Sequence, residues 1–281
     1  MGEESGNDTE VKGTIEAVTG LVKAVPIYED MVQPVAKQLG KSLETVGKAI
    51  NVALAPVGIL VWGYDKCQEF IQTKVADRLK DVPPEDIITP KPNVAGPAIE
   101  ALRYTGHEES LSDMYANLLA SAMDRNTADG AHPAFVEIIK QLTSDEAKII
   151  PLLDGRRAYP LLNIRADYKE GIEGKTGGVD VLMNFSLLGV QAGVEHPDLT
   201  PTYLNNLCRL GLIDFPGMGF TYTTPGVYDP LESDPQILRI KAEIERDPLR
   251  EFKAVRSGLR ITSLGKQFGD VCVRGHGAKP R

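Results

Sequence analysis

The apolar positions in residues 111–153 repeat with the spacing of three successive helices. In the first helix they recur every three or four residues, which places them on one face: Leu111, Met114, Tyr115, Leu118, Leu119 and Ala122. Pro133 stands where the second helix is expected to begin, a position that needs no backbone N–H. Thr143 and Glu146 have the spacing of a capping box for the third helix. These segments predict a packed helical core and indicate no chemistry.

The same helical period extends over most of the chain that precedes this core. It predicts three amphipathic helices, over residues 11–25, 28–55 and 65–80. The stretch that follows them is rich in proline, and a residue that precedes proline avoids the helical conformation. We therefore expect a link over residues 81–97 and a helix that restarts at Ala98.

The pattern changes beyond the third core helix. Residues 159–168 and 179–189 carry branched and aromatic side chains, which suit either strands or short helices, and periodicity does not decide between the two. A helix then follows with Thr200 as its candidate N-cap and Pro201 at its first position. Gly211 is expected to end that helix, and a strand should begin immediately after it.

Two more helices are predicted near the C-terminus. The first covers residues 233–248 and places Ile237, Ile240 and Ile244 on one side. A hairpin is expected around Ser257 and Gly258. The last helix is capped by Thr262 and directs three apolar side chains inward: Leu264, Phe268 and Val271.

The order of helix, strand, turn-rich loop and capped helix in this C-terminal part is that of a winged helix, a fold that often binds DNA. The charges disfavour DNA, because Arg209 is the only basic residue between Glu195 and Phe215, against three acidic ones. A phosphate backbone is bound through clustered Lys and Arg. We therefore expect a protein contact or a structural role for this part, and we disfavour nucleic acid as a partner.

These patterns predict a mostly α chain. A disordered leader covers residues 1–10, and a multi-helix domain covers residues 11–154. A smaller mixed α/β, winged-helix-like domain covers residues 155–273, and a flexible tail covers residues 274–281.

Residues 49–64 form the most apolar stretch of the chain and carry no charge. One interpretation is a segment that inserts into a membrane or contacts a partner, for which Val57, Leu60, Trp62 and Tyr64 are the candidate residues. The other is a buried core helix, because the run is too short to span a bilayer and is interrupted by proline. Both interpretations stay open at this point.

Composition narrows the cellular setting. The chain has 281 residues, a net charge of −8 and three cysteines that are far apart in sequence. The odd, scattered cysteines fit a reducing compartment, and the acidic, polar start of the chain is not a signal peptide. We expect a cytoplasmic protein that becomes membrane-associated on activation.

Residue chemistry gives no catalytic motif. The four histidines are far apart and none has metal-ligand spacing with cysteine or carboxylate. The Gly-Lys-Thr run at residues 174–176 lacks the spacing of a phosphate-binding loop. We therefore predict no catalytic residue, no cofactor and no metal site, and we do not expect an enzyme.

Several stretches together resemble the bacterial Abi-alpha (abortive infection alpha) family. They are the segment from residue 25 to 66, the run P-x-x-A-G-P at residues 92–97, YANLLASAMD, HPAFVEIIKQLTSDEAKII, LNNLCRLGLI and ITSLGKQFGDVC. The resemblance implies a phage-defence protein that arrests or kills the infected cell, and it carries no catalytic residues across. Two classes of function stay open: a non-enzymatic defence effector that acts through protein, self-association or membrane contacts, and a winged-helix regulator that binds nucleic acid.

Overall fold

The computed structural model describes residues 69–217 and 219–274, and about half of these residues are helical. They form ten α-helices and two small antiparallel sheets, so the described chain is mixed α/β with a helical majority. The five N-terminal helices are α1 (Ala76–Leu79), α2 (Pro92–Thr105), α3 (Glu109–Met123), α4 (Ala134–Lys140) and α5 (Ser144–Ile149).

Helix α3 lies at the centre of the main core. The predicted apolar stripe is buried, and Leu118 is completely inaccessible to solvent. Twelve of its fifteen residues are buried, including the polar Ser112, Asn117 and Ser121. The helix is therefore covered on all sides and not on one face, because α2, α5 and the chain segments at Ile71–Val75 and Gly269–Val273 all pack around it.

Local signals predicted the start of α5 correctly and the start of α4 to within one residue. Pro133 is the N-cap residue of α4 and not its first helical residue. The capping box of α5 is complete: the Thr143 hydroxyl accepts from the N–H of Glu146 (3.2 Å), and the Glu146 carboxylate accepts from the N–H of Thr143 (2.7 Å). Both signals involve residues within one turn, so they do not depend on the rest of the fold.

The predicted helix restart at Ala98 is wrong, because α2 already begins at Pro92 and contains Pro97. Pro92 is at the first helical position, where its missing N–H costs nothing. Pro97 lies inside the helix, where its missing N–H forgoes one hydrogen bond, and Gly96 before it carries no Cβ that could crowd the proline ring. The proline-rich link thus ends earlier than residue 97.

Three long strands form one sheet in the C-terminal part: β1 (Pro160–Tyr168), β2 (Gly178–Phe185) and β4 (Arg250–Gly258). Their order is β2-β1-β4, and both pairings are antiparallel. The second sheet pairs β3 (Ile213–Asp214) with β5 (Arg260–Ile261). The helices between and after these strands are α6 (Leu188–Ala192), α7 (Thr200–Arg209), α8 (Asp229–Glu232), α9 (Pro235–Ile244) and α10 (Ser263–Phe268).

The described residues contain two hydrophobic clusters. The larger includes side chains from both halves of the chain, among them Leu118, Leu204 and Phe268. The smaller lies between one face of the β2-β1-β4 sheet and helices α8 and α9, with Ile164 and Ile237 at its centre. The domain division predicted between residues 154 and 155 stays a prediction.

Thr200 does not cap α7, contrary to the prediction. A 3-10 turn at Pro197–Leu199 precedes the helix, so Leu199 is at the cap and Thr200 is already helical. The Thr200 hydroxyl instead donates to the carbonyl oxygen of Pro197 (2.6 Å). Gly211 follows the helix with a φ of 76°, a conformation that glycine adopts without strain, and β3 begins at Ile213, one residue later than predicted.

The predicted hairpin at Ser257 and Gly258 is also wrong. Strand β4 pairs with β1 and strand β5 pairs with β3, so the chain passes from one sheet to the other at the buried Leu259. Gly258 is needed for space and not for a turn, because a Cβ there would lie 2.6 Å from the ring of Tyr222. The Ser257–Gly258 pair was therefore wrongly interpreted as a hairpin turn, because the glycine is required by the nearby Tyr222 ring.

Thr262 caps α10 as predicted, and its hydroxyl accepts from the N–H of Gly265 (2.9 Å). Phe268 is buried, whereas Leu264 is 38% exposed and does not face inward. Gly265 is the contact residue instead, since a Cβ there would lie 2.0 Å from the carbonyl oxygen of Leu212. The close approach at Gly265 turns Leu264 outward.

Candidate functional site

A buried polar cluster joins α5 to α7 and to the loop before α7, with Asp145 at its centre. The Asp145 side chain is 9% exposed. Four groups donate to its carboxylate: the N–H of Glu195 (2.9 Å), the N–H of His196 (3.1 Å), the hydroxyl of Tyr203 (3.0 Å) and the ammonium of Lys148 (3.1 Å). One side chain thus fixes the positions of a loop and two helices.

The hydrogen bonds decide the charge of Asp145. Burial alone would raise its pKa, but the four donors outweigh burial and lower the pKa from 3.8 to about 2. Burial and the facing carboxylate raise the pKa of Tyr203 to about 12. Two carboxylate oxygens offer about four acceptor positions. All of them are used inside the protein, so Asp145 is arranged to hold structure and not to exchange a proton with a substrate.

The contact between α7 and the segment before α5 also includes Arg209, the basic residue on which a DNA contact of the predicted winged helix would depend. Its guanidinium donates to Asn206 Oδ1 (2.7 and 3.0 Å) and to Gln141 Oε1 (3.0 Å). Asn206 in turn donates to Glu146 Oε1 (2.8 Å). Arg209 is therefore used in the packing of α7 against the segment before α5.

A second polar cluster holds the C-terminal segment Gly269–Val273 against α3. Asn117 accepts from Arg78 and donates to the carbonyl oxygen of Cys272 (2.9 Å), while the Ser121 hydroxyl donates to the carbonyl oxygen of Val271 (3.4 Å). The Cys272 thiol is fully buried, and burial raises its pKa well above the usual range. A protonated, inaccessible thiol is a poor nucleophile.

A cleft opens where β1 begins, between α6 and α8. Its lining includes Arg157, Tyr159, Ser186, Gln191 and Leu231. The guanidinium of Arg157 donates to the carbonyl oxygen of Leu152 (2.9 and 3.2 Å), and the Ser186 hydroxyl accepts from the N–H of Leu188 (3.2 Å). The lining contains neither His nor carboxylate beside this serine, so the cleft lacks the nucleophile–base pair that acyl transfer needs.

The candidate residues from sequence, Val57, Leu60, Trp62 and Tyr64, precede residue 69 and lie outside the described residues. Within residues 69–217 and 219–274, no helix combines the length and the apolar character needed to cross a membrane. The same residues contain no group of three or more His, Cys, Asp or Glu side chains placed to hold a metal ion.

Sequence reasoning missed the Asp145 cluster. Its partners Glu195, His196 and Tyr203 lie 50, 51 and 58 residues further along the chain. An acidic residue in the first turn of a helix is ordinarily explained by the helix dipole alone. The polar positions inside α3 could have indicated the second cluster, in which Asn117 is a buried contact, but they say nothing of Asp145.

The model of the abortive infection alpha (Abi_alpha) family matches residues 63–272. The chain belongs to the abortive infection alpha family. No curated protein matches the chain. Among solved structures, the chain is similar to an uncharacterized protein from the hydrocarbon-degrading marine bacterium Alcanivorax borkumensis SK2. The two sequences are 26% identical, and the match has a TM-score of 0.33. It covers 51% of this chain and 94% of that chain.

Proposed function

We propose that this protein is an abortive-infection effector of bacterial phage defence, which acts non-enzymatically through contacts with a protein or a membrane. The observation that carries the proposal is the family match over residues 63–272. The family name describes an outcome for the infected cell and no chemistry, so the mode of action is argued from the residues.

Two features support a contact mechanism. The buried polar groups around Asp145 and Asn117 are bonded within the protein, which suits a structural role. The uncharged segment at residues 49–64 is the part of the sequence best suited to bind lipid or an apolar partner surface, through Val57, Leu60, Trp62 and Tyr64. In this proposal the resting protein is cytoplasmic, and it reaches the membrane only on activation.

A winged-helix regulator is the second candidate. Its basis is the predicted order of helix, strand, turn-rich loop and capped helix; in the structure β3 follows α7 and pairs with β5 before α10, but α8, α9 and β4 lie between the two paired strands. The bonding of Arg209 to Asn206 and Gln141 weighs against it, since a phosphate contact would have to break those bonds. We therefore rank it below the effector.

The test is a plaque assay on host cells that carry the gene or an empty vector, read beside host viability after infection. The proposal expects fewer plaques and early death of infected cells only with the gene. A second arm measures binding of the purified protein to anionic vesicles, with Val57→Asp and Leu60→Asp as variants. Phage restriction without vesicle binding would support the defence role and exclude the membrane mechanism.

A further inference from the structure

Helix α3 carries a row of polar side chains that contacts both the first and the last described helical segments. Asp113, Asn117 and Ser121 follow one another at intervals of four residues, so they lie on one side of α3. Asn117 and Ser121 are buried, at 5% and 4% exposure. Buried polar groups need partners, and these come from helical residues 71–79 and from the segment Gly269–Val273.

Two cations attach residues 71–79 to this row. The guanidinium of Arg78 donates through Nε to Asn117 Oδ1 and lies 3.2 Å from the carboxylate of Asp113. Lys74 Nζ lies 2.8 Å from the same carboxylate. The Lys74–Asp113 pair is solvated, with the two side chains 32% and 43% exposed, and such pairs contribute little. The bond from Arg78 is therefore the one that joins residues 71–79 to a buried polar group of α3.

The same row holds the last described segment. The final carbonyl groups of a helix have no N–H partner within that helix. Asn117 Nδ2 donates to the carbonyl oxygen of Cys272 (2.9 Å), and the Ser121 hydroxyl donates to that of Val271 (3.4 Å). Asn117 thus uses both ends of one amide, because its oxygen accepts from Arg78 while its nitrogen bonds the C-terminal segment.

We propose that the Asn117 amide couples residues 71–79 to Gly269–Val273, so that release of the first segment loosens the second. If Arg78 withdraws, Asn117 Oδ1 loses its partner where water has almost no access, and an unpaired buried acceptor is costly. The amide is planar and moves as one unit, so when it turns toward a new donor its bond to Cys272 is lost as well. A contact that draws residues 71–79 away from α3 would thereby be transmitted to the C-terminal segment.

The closed arrangement is the resting state, because apolar side chains support it. Val75 and Leu79 in the first segment and Cys272 in the last are inaccessible to solvent. Opening exposes them, so it is a rare local fluctuation of the kind that amide hydrogen exchange detects. The Cys272 thiol is a second probe, since a thiol that is fully buried reacts only when its segment detaches.

The experiment is hydrogen exchange and maleimide labelling of the full chain, read by peptide mass spectrometry. Among the described residues, Arg78 forms no hydrogen bond or ion pair with Gly269–Val273. Arg78→Met should nevertheless speed both exchange in that segment and labelling of Cys272 by about fivefold or more, the low end for losing a buried hydrogen bond. Lys80→Met is the matched control and should change neither, because Lys80 follows the same helix and pairs with Asp77 instead.

A double-mutant cycle tests whether the effect passes through Asn117. Asn117→Ala should itself speed exchange and labelling at the C-terminal segment, and Arg78→Met should add nothing further in that background. Strand β1 is the reference in every variant, because its amides should stay protected when only these segments open.

Three results would overturn the proposal. The first is exchange of Gly269–Val273 and labelling of Cys272 that stay at the wild-type rate in Arg78→Met. The second is an effect of Arg78→Met that is equally large in the Asn117→Ala background. The third is an equal loss of protection in β1, which would show that the whole protein unfolds. None of these results bears on the infection assay, since the coupling does not depend on the defence role.

Discussion

Replacement of Asp145 by asparagine should destabilise the protein by about 2–3 kcal/mol at pH 7. Asparagine keeps the shape of the side chain but removes the charge and turns an NH₂ group toward donors. The pKa of Asp145 is about 2 in the folded protein against an ordinary value of 3.8, and this difference alone corresponds to about 2 kcal/mol of stability. The side chain is 9% exposed, so solvent screening removes little of it.

The sign of the pH dependence follows from the lowered pKa. The stabilisation is fully present above the unfolded value of 3.8 and is lost as the pH falls toward the folded value of about 2. About half of it should remain at pH 3. The difference in the free energy of unfolding between the wild type and Asp145→Asn should therefore be constant from pH 7 to about pH 5. Below about pH 5 this difference should become smaller.

The assay is urea denaturation of both proteins between pH 7 and pH 3. Asp198→Asn is the matched control, because Asp198 is exposed in the loop that Asp145 holds and the substitution removes the same charge. The control should change stability by less than about 0.5 kcal/mol. Tyr203→Phe removes one of the four donors and should cost about 1 kcal/mol. The reasoning would be refuted if Asp145→Asn had the same urea midpoint as the wild type at pH 7. It would also be refuted if the loss of stability in Asp145→Asn stayed the same down to pH 3.

Three further predictions concern the core, nucleic acid and the apolar segment. Leu118→Ala should cost about 2–5 kcal/mol by denaturation, because Leu118 is fully buried in α3, and an unchanged midpoint would contradict its place in the core. Duplex DNA should bind more weakly than about 10⁻⁴ M at physiological salt; submicromolar binding that Arg209→Ala abolishes would favour the regulator. Val57→Asp and Leu60→Asp should both lower the yield of soluble protein, since an apolar site does not accept an unpaired carboxylate. If both variants fold normally and keep full activity, residues 49–64 are neither a core helix nor a membrane-active segment.

The predictable parts of the fold were those specified by residues close in sequence. The stripe of α3 and the capping box of α5 lie within one or a few turns, and both are present. The loop between residues 168 and 178 separates two branched, aromatic stretches, and it became a hairpin connection between β1 and β2. Even there, the choice between strand and helix needed the partner strands.

What the sequence could not supply is long-range pairing. Strand β4 lies on β1 although Ile164 and its partner Ala254 are far apart along the chain, and nothing near Ser257 indicates that the next residues join another sheet. The Asp145 cluster has the same origin, because its donors come from a loop and a helix that are distant in sequence. Leu264 was misassigned because a helical period does not show that Gly265 makes the closest contact.

The proposed function requires that this protein aborts phage infection at the expense of the host cell. The direct measurement is infection of cells with and without the gene by a panel of phages, at a low and a high ratio of phage to cells. A gene with a stop codon in place of Lys12 is the control. Gene-bearing cultures should survive at the low ratio, and at the high ratio they should collapse and release few phage. Equal phage yield and equal host survival with and without the gene across the panel would contradict it.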